Sequence, residues 1–418
     1  MLKDKQIWGW ALYDWANSVF ATVVIAGLFP VVFKQYWSSG LTSDESTFSL
    51  GLANSVASLI IVLLAPFLGV IADCAGIRKR MLLGFMLLGS IMTLLFYPVA
   101  EGNWMLILVL YVLATLGFMG ANIFYDAIMV DVGRGHHIDR VSGLGFGMGY
   151  LGGGLLLAFC VVMAQTPQTF GFAESIDAVL FSFVITAFWW MLFSLPLVFW
   201  VKESKPLDTC EVKSIRLIAK ETKQTFRHIF SDRQIALFLL AYWIYIDGVD
   251  TIIRMAVDYG LALGFGANDL ITALLLTQFV GFPAAIVYTH IGDRIGVKTA
   301  LIAGIIIYSL ITVWGYYMDS AEEFYFLAIM IGLVQGGVQA LSRSFYARLI
   351  PAERAAEYFG VYNMMGKAAA VIGPLLMGAV ALLTNNHRYS ILSILVLFVL
   401  GLLLLLKVKN PEKIESRT

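Results

Sequence analysis

Long apolar stretches alternate with short polar breaks along the whole chain, and there are twelve of them. They fall near residues 7–33, 48–72, 81–99, 104–130, 142–165, 178–201, 234–257, 269–291, 299–317, 323–348, 357–383 and 389–407. A helix crosses a bilayer with about 20 apolar residues, and it does so because it satisfies its own backbone in lipid. The pattern therefore predicts an all-α integral membrane protein with twelve transmembrane helices. The first stretch holds Tyr13, Asp14 and Asn17. It is too long and too polar for a signal-peptide core, and it reads as a retained helix. One larger polar interruption, 202–233, separates six stretches from six. Inside it Ile215, Leu217, Ile218, Thr222, Phe226 and Ile229 recur at helical spacing, which predicts an amphipathic helix on the membrane surface. The expected organisation is residues 1–201, a linker over 202–233, and 234–418 ending in a short tail.

Composition sharpens this. Of 418 residues, 60% are hydrophobic and 13% charged, against about 25% charged in an average soluble domain. A soluble enzyme, a secreted scaffold and a nucleic-acid binder are excluded on that ground. The 28 basic and 28 acidic residues cancel, so their placement carries the information. One set of loops holds Lys3, Lys5, Arg78, Lys79, Arg80, Arg134 and Arg140. It also holds eight basic residues from Lys202 to Arg233, then Arg294, Lys298, Arg354 and the tail. The opposite loops offer Lys34 and Arg388. The positive-inside rule then puts both termini in the cytoplasm. Cys74, Cys160 and Cys210 are scattered, and His136–His137 is an isolated pair. No disulfide framework, metal site or cofactor is expected.

The two parts of the chain echo each other. Asp73, Gly76 and Arg78 follow the second stretch, and Asp293, Gly296 and Lys298 follow the eighth. Both runs read Asp-x-x-Gly-apolar-basic in a short loop. The glycine permits a turn with positive φ. The aspartate can accept backbone N–H bonds or pair with a cation at a helix end. Asp14 and Asn17 in the first stretch are matched by Asp247 and Asp250 in the seventh, each pair at i, i+3 on one face.

The duplicated loop resembles the signature loop of the major facilitator superfamily. Further segments resemble the branch that contains the vacuolar autophagy-related amino-acid effluxers and their bacterial relatives. These are the segments at Tyr13–Ser18, Arg140–Phe146, Gly149–Gly154, Tyr245–Arg254, Gln335–Ser344 and Phe359–Lys367. The resemblance implies the major facilitator fold, two pseudo-symmetric six-helix halves working by alternating access. Spans 1, 4, 7 and 10 would line a central cavity, 2, 5, 8 and 11 would form the interface, and 3, 6, 9 and 12 would face lipid. It also implies a bacterial cytoplasmic membrane, a small-molecule substrate and a chain that works as a monomer.

Ionisable groups inside a span are costly and mark pathways or partners. In span 7, Asp247, Asp250, Arg254 and Asp258 share a face, and Arg254 can pair with either neighbouring acid. That leaves Asp247, about 20 Å into its span, without a local basic partner and suited to carry a proton. Span 1 offers Asp14 and Asn17. In span 4, Tyr125 and Asp126 lie toward the cytoplasmic end, and Asp126 can pair with a loop arginine such as Arg134 or Arg140. Span 10 carries Gln335 and Gln339, with Arg343 one turn on. Span 11 carries Tyr362, Asn363 and Lys367. Lys367 lies about 15 Å deep and needs a counter-charge, for which Asp14, Asp247 and Asp250 are candidates. Tyr245 adds a hydroxyl. Carboxylates, cations, tyrosines and amides together suit a zwitterion.

The expected function is secondary active transport of a small polar solute, an amino acid or similar metabolite, with a proton or other ion as coupling partner. A lipid or lysolipid carrier and an organic-anion exchanger are the alternatives on the same fold. No Gly-x-x-x-x-Gly-Lys-[Ser/Thr] loop is present, so the expected energy source is a gradient. The acids of span 7 lie too deep, beside Arg254, for an Mg²⁺-dependent membrane enzyme.

Overall fold

The computed structural model describes residues 4–134, 137–207, 215–369, 372–384 and 387–410. Among these residues the chain is helical, with no strand. The first helix, α1, runs Lys5–Trp37. It is α-helical to Val19 and widens to π-helix over Phe20–Leu28 and Phe33–Trp37. There follow α2 (Ser43–Ala75), α3 (Arg78–Leu94), α4 (Trp104–Val132), α5 (Ile138–Gln165) and α6 (Ser175–Trp200). The linker contributes α7 (Ile215–Ser231). The rest of the chain forms α8 (Arg233–Ala262), α9 (Ala267–Ile295), α10 (Val297–Tyr317), α11 (Ala321–Ala347), α12 (Ala355–Ala369), α13 (Ile372–Thr384), α14 (His387–Ser393) and α15 (Leu395–Lys407). Eleven helical stretches among the described residues are long and apolar enough to cross a membrane. At the expected third span stands α3, with 17 residues. Large apolar side chains such as Phe48, Leu59, Phe199 and Leu310 stand exposed around the outside, as a lipid-facing surface requires.

Helix ends are set by local chemistry. Capping boxes start α2, with Thr42 and Glu45, and α11, with Ser320 and Glu323. Gly76 closes α2 at φ +64°, where a Cβ would lie 2.4 Å from the Pro206 nitrogen, so only glycine fits. Lys79 and Lys298 are each the second residue of their helix, α3 and α10. The Nζ of Lys79 donates to the carbonyls of Val198 and Val201, at 3.3 and 2.8 Å. That of Lys298 donates to those of Leu406 and Val408, at 2.8 and 2.6 Å. Each lysine thus sits at the negative end of the last long helix of its half, α6 or α15.

The two halves meet where α2 packs along α12 and α5 along α9. Both contacts need glycine for close approach. A Cβ on Gly69 would lie 2.2 Å from the Ala356 carbonyl oxygen, and one on Gly143 would lie 2.1 Å from Thr289 Oγ1. The glycine run of α5 is therefore a packing surface. Cys160 is buried and free. Cys74 is disulfide-bonded, which its scattered spacing does not announce.

Candidate functional site

The linker helix marks one end of the molecule. Arg354 faces Glu221 of α7 at 3.8 Å, and Thr225 of α7 donates to Glu357 of α12 at 2.5 Å. From this linker end inward, polar groups of the two halves interlock.

The outermost layer holds the two repeated loops. Asp73, at the end of α2, accepts the backbone N–H groups of Ala356 and Glu357, at 3.3 and 2.9 Å. It is also paired with Arg78, Nε to Oδ1, at 2.6 Å. Arg78 reaches on to Asp131 at 2.8 Å and to the carbonyls of Ala352 and Glu353 across the interface. The second loop makes the reciprocal contact. Asp293, at the end of α9, accepts from Arg140 at 2.6 Å and from His137 at 3.0 Å, both at the start of α5. Each loop aspartate therefore holds the first turn of a helix in the other half. The chemistry differs: Asp73 takes backbone N–H groups, and Asp293 takes side chains. Gly296, at φ +93°, makes the turn after Asp293. Arg348 pairs with the buried Asp139, and the exposed Arg134 lies 3.4 Å from Glu353.

Deeper in, Arg343 of α11 crosses into the first half. Its Nη1 donates to Asp126 Oδ1 at 3.1 Å, and its Nε and Nη2 donate to Oγ and the carbonyl of Ser142 at 3.0 Å. The guanidinium carbon lies 4.4 Å from the centre of the Phe146 ring, 5.0 Å from Trp10 and 5.3 Å from Tyr125. A desolvated cation is thereby neutralised by one carboxylate and three ring faces. Asp126 is held from a third side by the amide of Asn363, at 2.9 Å. Lys367, half-buried one turn beyond Asn363, acts electrostatically on the same carboxylate.

Asp14 lies beside this cluster. Its carboxylate accepts from Ser18 at 3.0 Å and from the Tyr125 hydroxyl at 3.1 Å, and Tyr125 stacks on Trp10 with ring centres 4.4 Å apart. The amides of Asn17 and Asn122 meet at 2.7 Å, joining α1 to α4. Higher still, Tyr150 of α5 reaches Gln339 at 3.5 Å and packs against Gly336, next to the buried Gln335.

Several expectations are corrected by these contacts. Asp126 pairs with Arg343 rather than with Arg134 or Arg140, because those two face Glu353 and Asp293. Asp247 has partners that its own sequence neighbourhood does not announce. It accepts the backbone N–H of Gly373, in the first turn of α13, at 3.0 and 3.1 Å, and lies 3.4 Å from the Thr251 hydroxyl. Tyr245 is fully buried and bonded to Ser342, at 2.7 Å, inside the second half. Tyr362 is stacked on Tyr242 at 4.1 Å. Asp250 is half-buried on α8. The side chains of Arg254 and Asp258, and all of His136 and Cys210, lie outside the described residues. No cluster of three or more metal-ligating side chains occurs among the described residues.

An all-helical chain with many helices long and apolar enough to cross a membrane, its polar groups gathered at one seam, fits a class, the major facilitator superfamily of transporters. Solved members share the fold. The human organic anion transporter MFSD10 superposes with a TM-score of 0.75 at 16% identity, covering 96% of this chain and 99% of that one. FucP in its outward conformation gives 0.74 at 14% identity, covering 97% and 99%. Within the class, the model of the "Vacuole effluxer Atg22 like" family matches residues 39–137 and 133–416, and the chain belongs to that family. It is 38% identical over 415 residues to YxiO of Bacillus subtilis, described as an uncharacterized MFS-type transporter, covering 99% of this chain and 96% of that protein. Autophagy-related protein 22 of Eremothecium gossypii is 23% identical over 452 residues, covering 93% and 87%. The chain is therefore a multi-pass membrane transporter.

Proposed function

We propose that this transporter carries a small zwitterionic solute, an amino acid or close analogue, by alternating access, with a proton as the coupling ion. One observation carries the reading: groups of opposite charge from both halves converge at a single level of the seam. Asp14 and Asp126 come from the first half and Arg343 and Lys367 from the second. Asp14 offers a carboxylate held by two hydroxyls, suited to an ammonium group or a proton. Lys367 suits a carboxylate. Asn363, Gln339 and Tyr150 supply directional bonds between them. The description of the family as vacuole effluxers supports solute transport across a membrane.

The inter-half hydrogen bonds described above all lie between the linker end and the level of Tyr150. In this reading the linker end is the cytoplasmic end, both termini lie there, and α3 completes a set of twelve spans. The structure is then the state closed to the cytoplasm. Opening requires Arg343 to leave its ring box and both loop aspartates to release the opposing helices. The bacterial cytoplasmic membrane is the expected location.

Ligand-dependent stabilisation tests the substrate class. The detergent-solubilised protein is heated with a panel of amino acids, organic anions and lysolipids. A solute that binds the folded state raises Tm with its concentration. Stabilisation by amino acids supports the reading. Stabilisation by lysolipids or anions alone overturns it.

A further inference from the structure

The linker helix α7 presents two faces of different character. One face holds Thr222, Thr225 and Ile229, all buried, and bonds to Glu357 through Thr225. The other carries Arg216, Lys220, Lys223 and Arg227, spaced 4, 3 and 4 residues apart and all exposed. At 100° per residue these four cations fall on one stripe. Phe230 continues the same stripe and is 61% exposed. Arg233, exposed, opens α8 just beyond it. None of these five cations makes an ion pair among the described residues.

Two cavities adjoin this corner. An apolar groove of about 380 Å³ runs between α8 and α12, lined by Phe230, Arg233, Leu237, Leu240, Val361 and Met365. A polar recess of about 800 Å³ lies beside it, with Arg227, His228, Ser231, Asp232 and Tyr358 in its wall. Ser231 borders both.

We propose that this corner is a binding site for one anionic phospholipid, with an acyl chain in the α8–α12 groove and the headgroup phosphate between Arg227 and Arg233. Two features select that occupant. The groove is apolar and opens sideways, since Leu240 is 40% exposed on the outer surface of a membrane-spanning helix. Arg233 stands at the groove and Arg227 in the recess beside it, and neither makes an ion pair among the described residues, Asp232 of the recess included, so an anionic headgroup complements the pair where a zwitterionic one does not. A lipid held here bears on α7, whose other face touches Glu357 and, through Glu221, Arg354. Both residues lie beside the helix turn that Asp73 holds.

Native mass spectrometry of the full-length protein tests the site. Delipidated protein is titrated with phosphatidylglycerol or phosphatidylcholine of the same chains. Preferential retention of one phosphatidylglycerol is expected. The R227Q/R233Q variant, altered only at exposed side chains, is expected to retain it about tenfold less well. L240W is expected to lower retention by filling the groove without changing charge. Equal retention of the two lipids overturns the proposal, as does unchanged retention in R227Q/R233Q. Full displacement by glycerol 3-phosphate would assign the cations to a free phosphate instead. Full displacement by an acidic peptide would assign them to a protein partner, and either result overturns it. A thermal-unfolding trace of each variant shows whether its fold is intact.

Discussion

Arg343 and Asp126 lie 217 residues apart in sequence and on opposite halves of the transporter, yet they form a buried ion pair of 3.1 Å. Breaking one partner of such a pair leaves an uncompensated charge in a desolvated site, which costs about 3–5 kcal/mol. Arg343→Ala is therefore expected to open the linker end. Solvent access at Ser142, fully buried against Arg343, reports this. In a Ser142→Cys background, labelling by a water-soluble maleimide is expected to be slow while Arg343 is present. Adding Arg343→Ala is expected to speed it by about tenfold or more. Equal rates would show that the pair does not hold the seam.

The loop aspartates are expected to govern switching rather than affinity. Asp73→Asn weakens the hold on Ala356 and Glu357 and removes the charge opposite Arg78. Turnover is expected to fall about tenfold while substrate binding stays within about twofold. Asp293→Asn is expected to act in the same direction. Binding measured by calorimetry alongside transport in vesicles separates the two quantities.

Asp14 and Asp247 are expected to divide in their effects. Asp14 is faced by Tyr125 and Asp126 of α4, by Ser18 on its own helix and by Arg343 of α11. Asp14→Asn keeps one acceptor oxygen for the two hydroxyls and removes the ionisable group, so substrate exchange is expected to persist while acceleration by a pH gradient is lost. Asp247→Asn leaves a weaker partner for the Gly373 N–H and is expected to lower stability by about 1–3 kcal/mol, with the pH dependence intact. Exchange and gradient-driven uptake, compared in the same vesicles, distinguish the outcomes.

Close approach at the seam sets a fourth expectation. Gly143→Ala places a methyl group against Thr289 and is expected to destabilise the protein by about 1–3 kcal/mol. Thr289→Ala should restore part of that loss, because it removes the atom nearest the new methyl. Thermal unfolding of the two single variants and the double variant measures the coupling.

Much of the fold is legible in the sequence because lipid imposes a simple rule. A span must be largely apolar and helical, so helices such as α4 and α5 appear as long, mostly apolar runs. The loop pair is legible too, since Asp73 and Asp293 recur with the same glycine and basic neighbours. The seam is not legible. Asp126 has arginines close by in sequence, and nothing local says that the partner is Arg343, which arrives from the other half. One partner of Asp247 is a backbone N–H, and every residue but proline carries one. Arg343 itself, one turn beyond Gln339, gives one usable signal: an arginine inside an apolar span must be neutralised by something.

Uptake into proteoliposomes tests the central claim most directly. A panel of labelled amino acids is offered with and without an imposed pH gradient, to the native protein and to Asp14→Asn. Saturable uptake of at least one amino acid is expected, accelerated by the gradient in the native protein and insensitive to it in the variant. Folded protein that moves no amino acid under either condition, while moving a lipid or an organic anion, would contradict it.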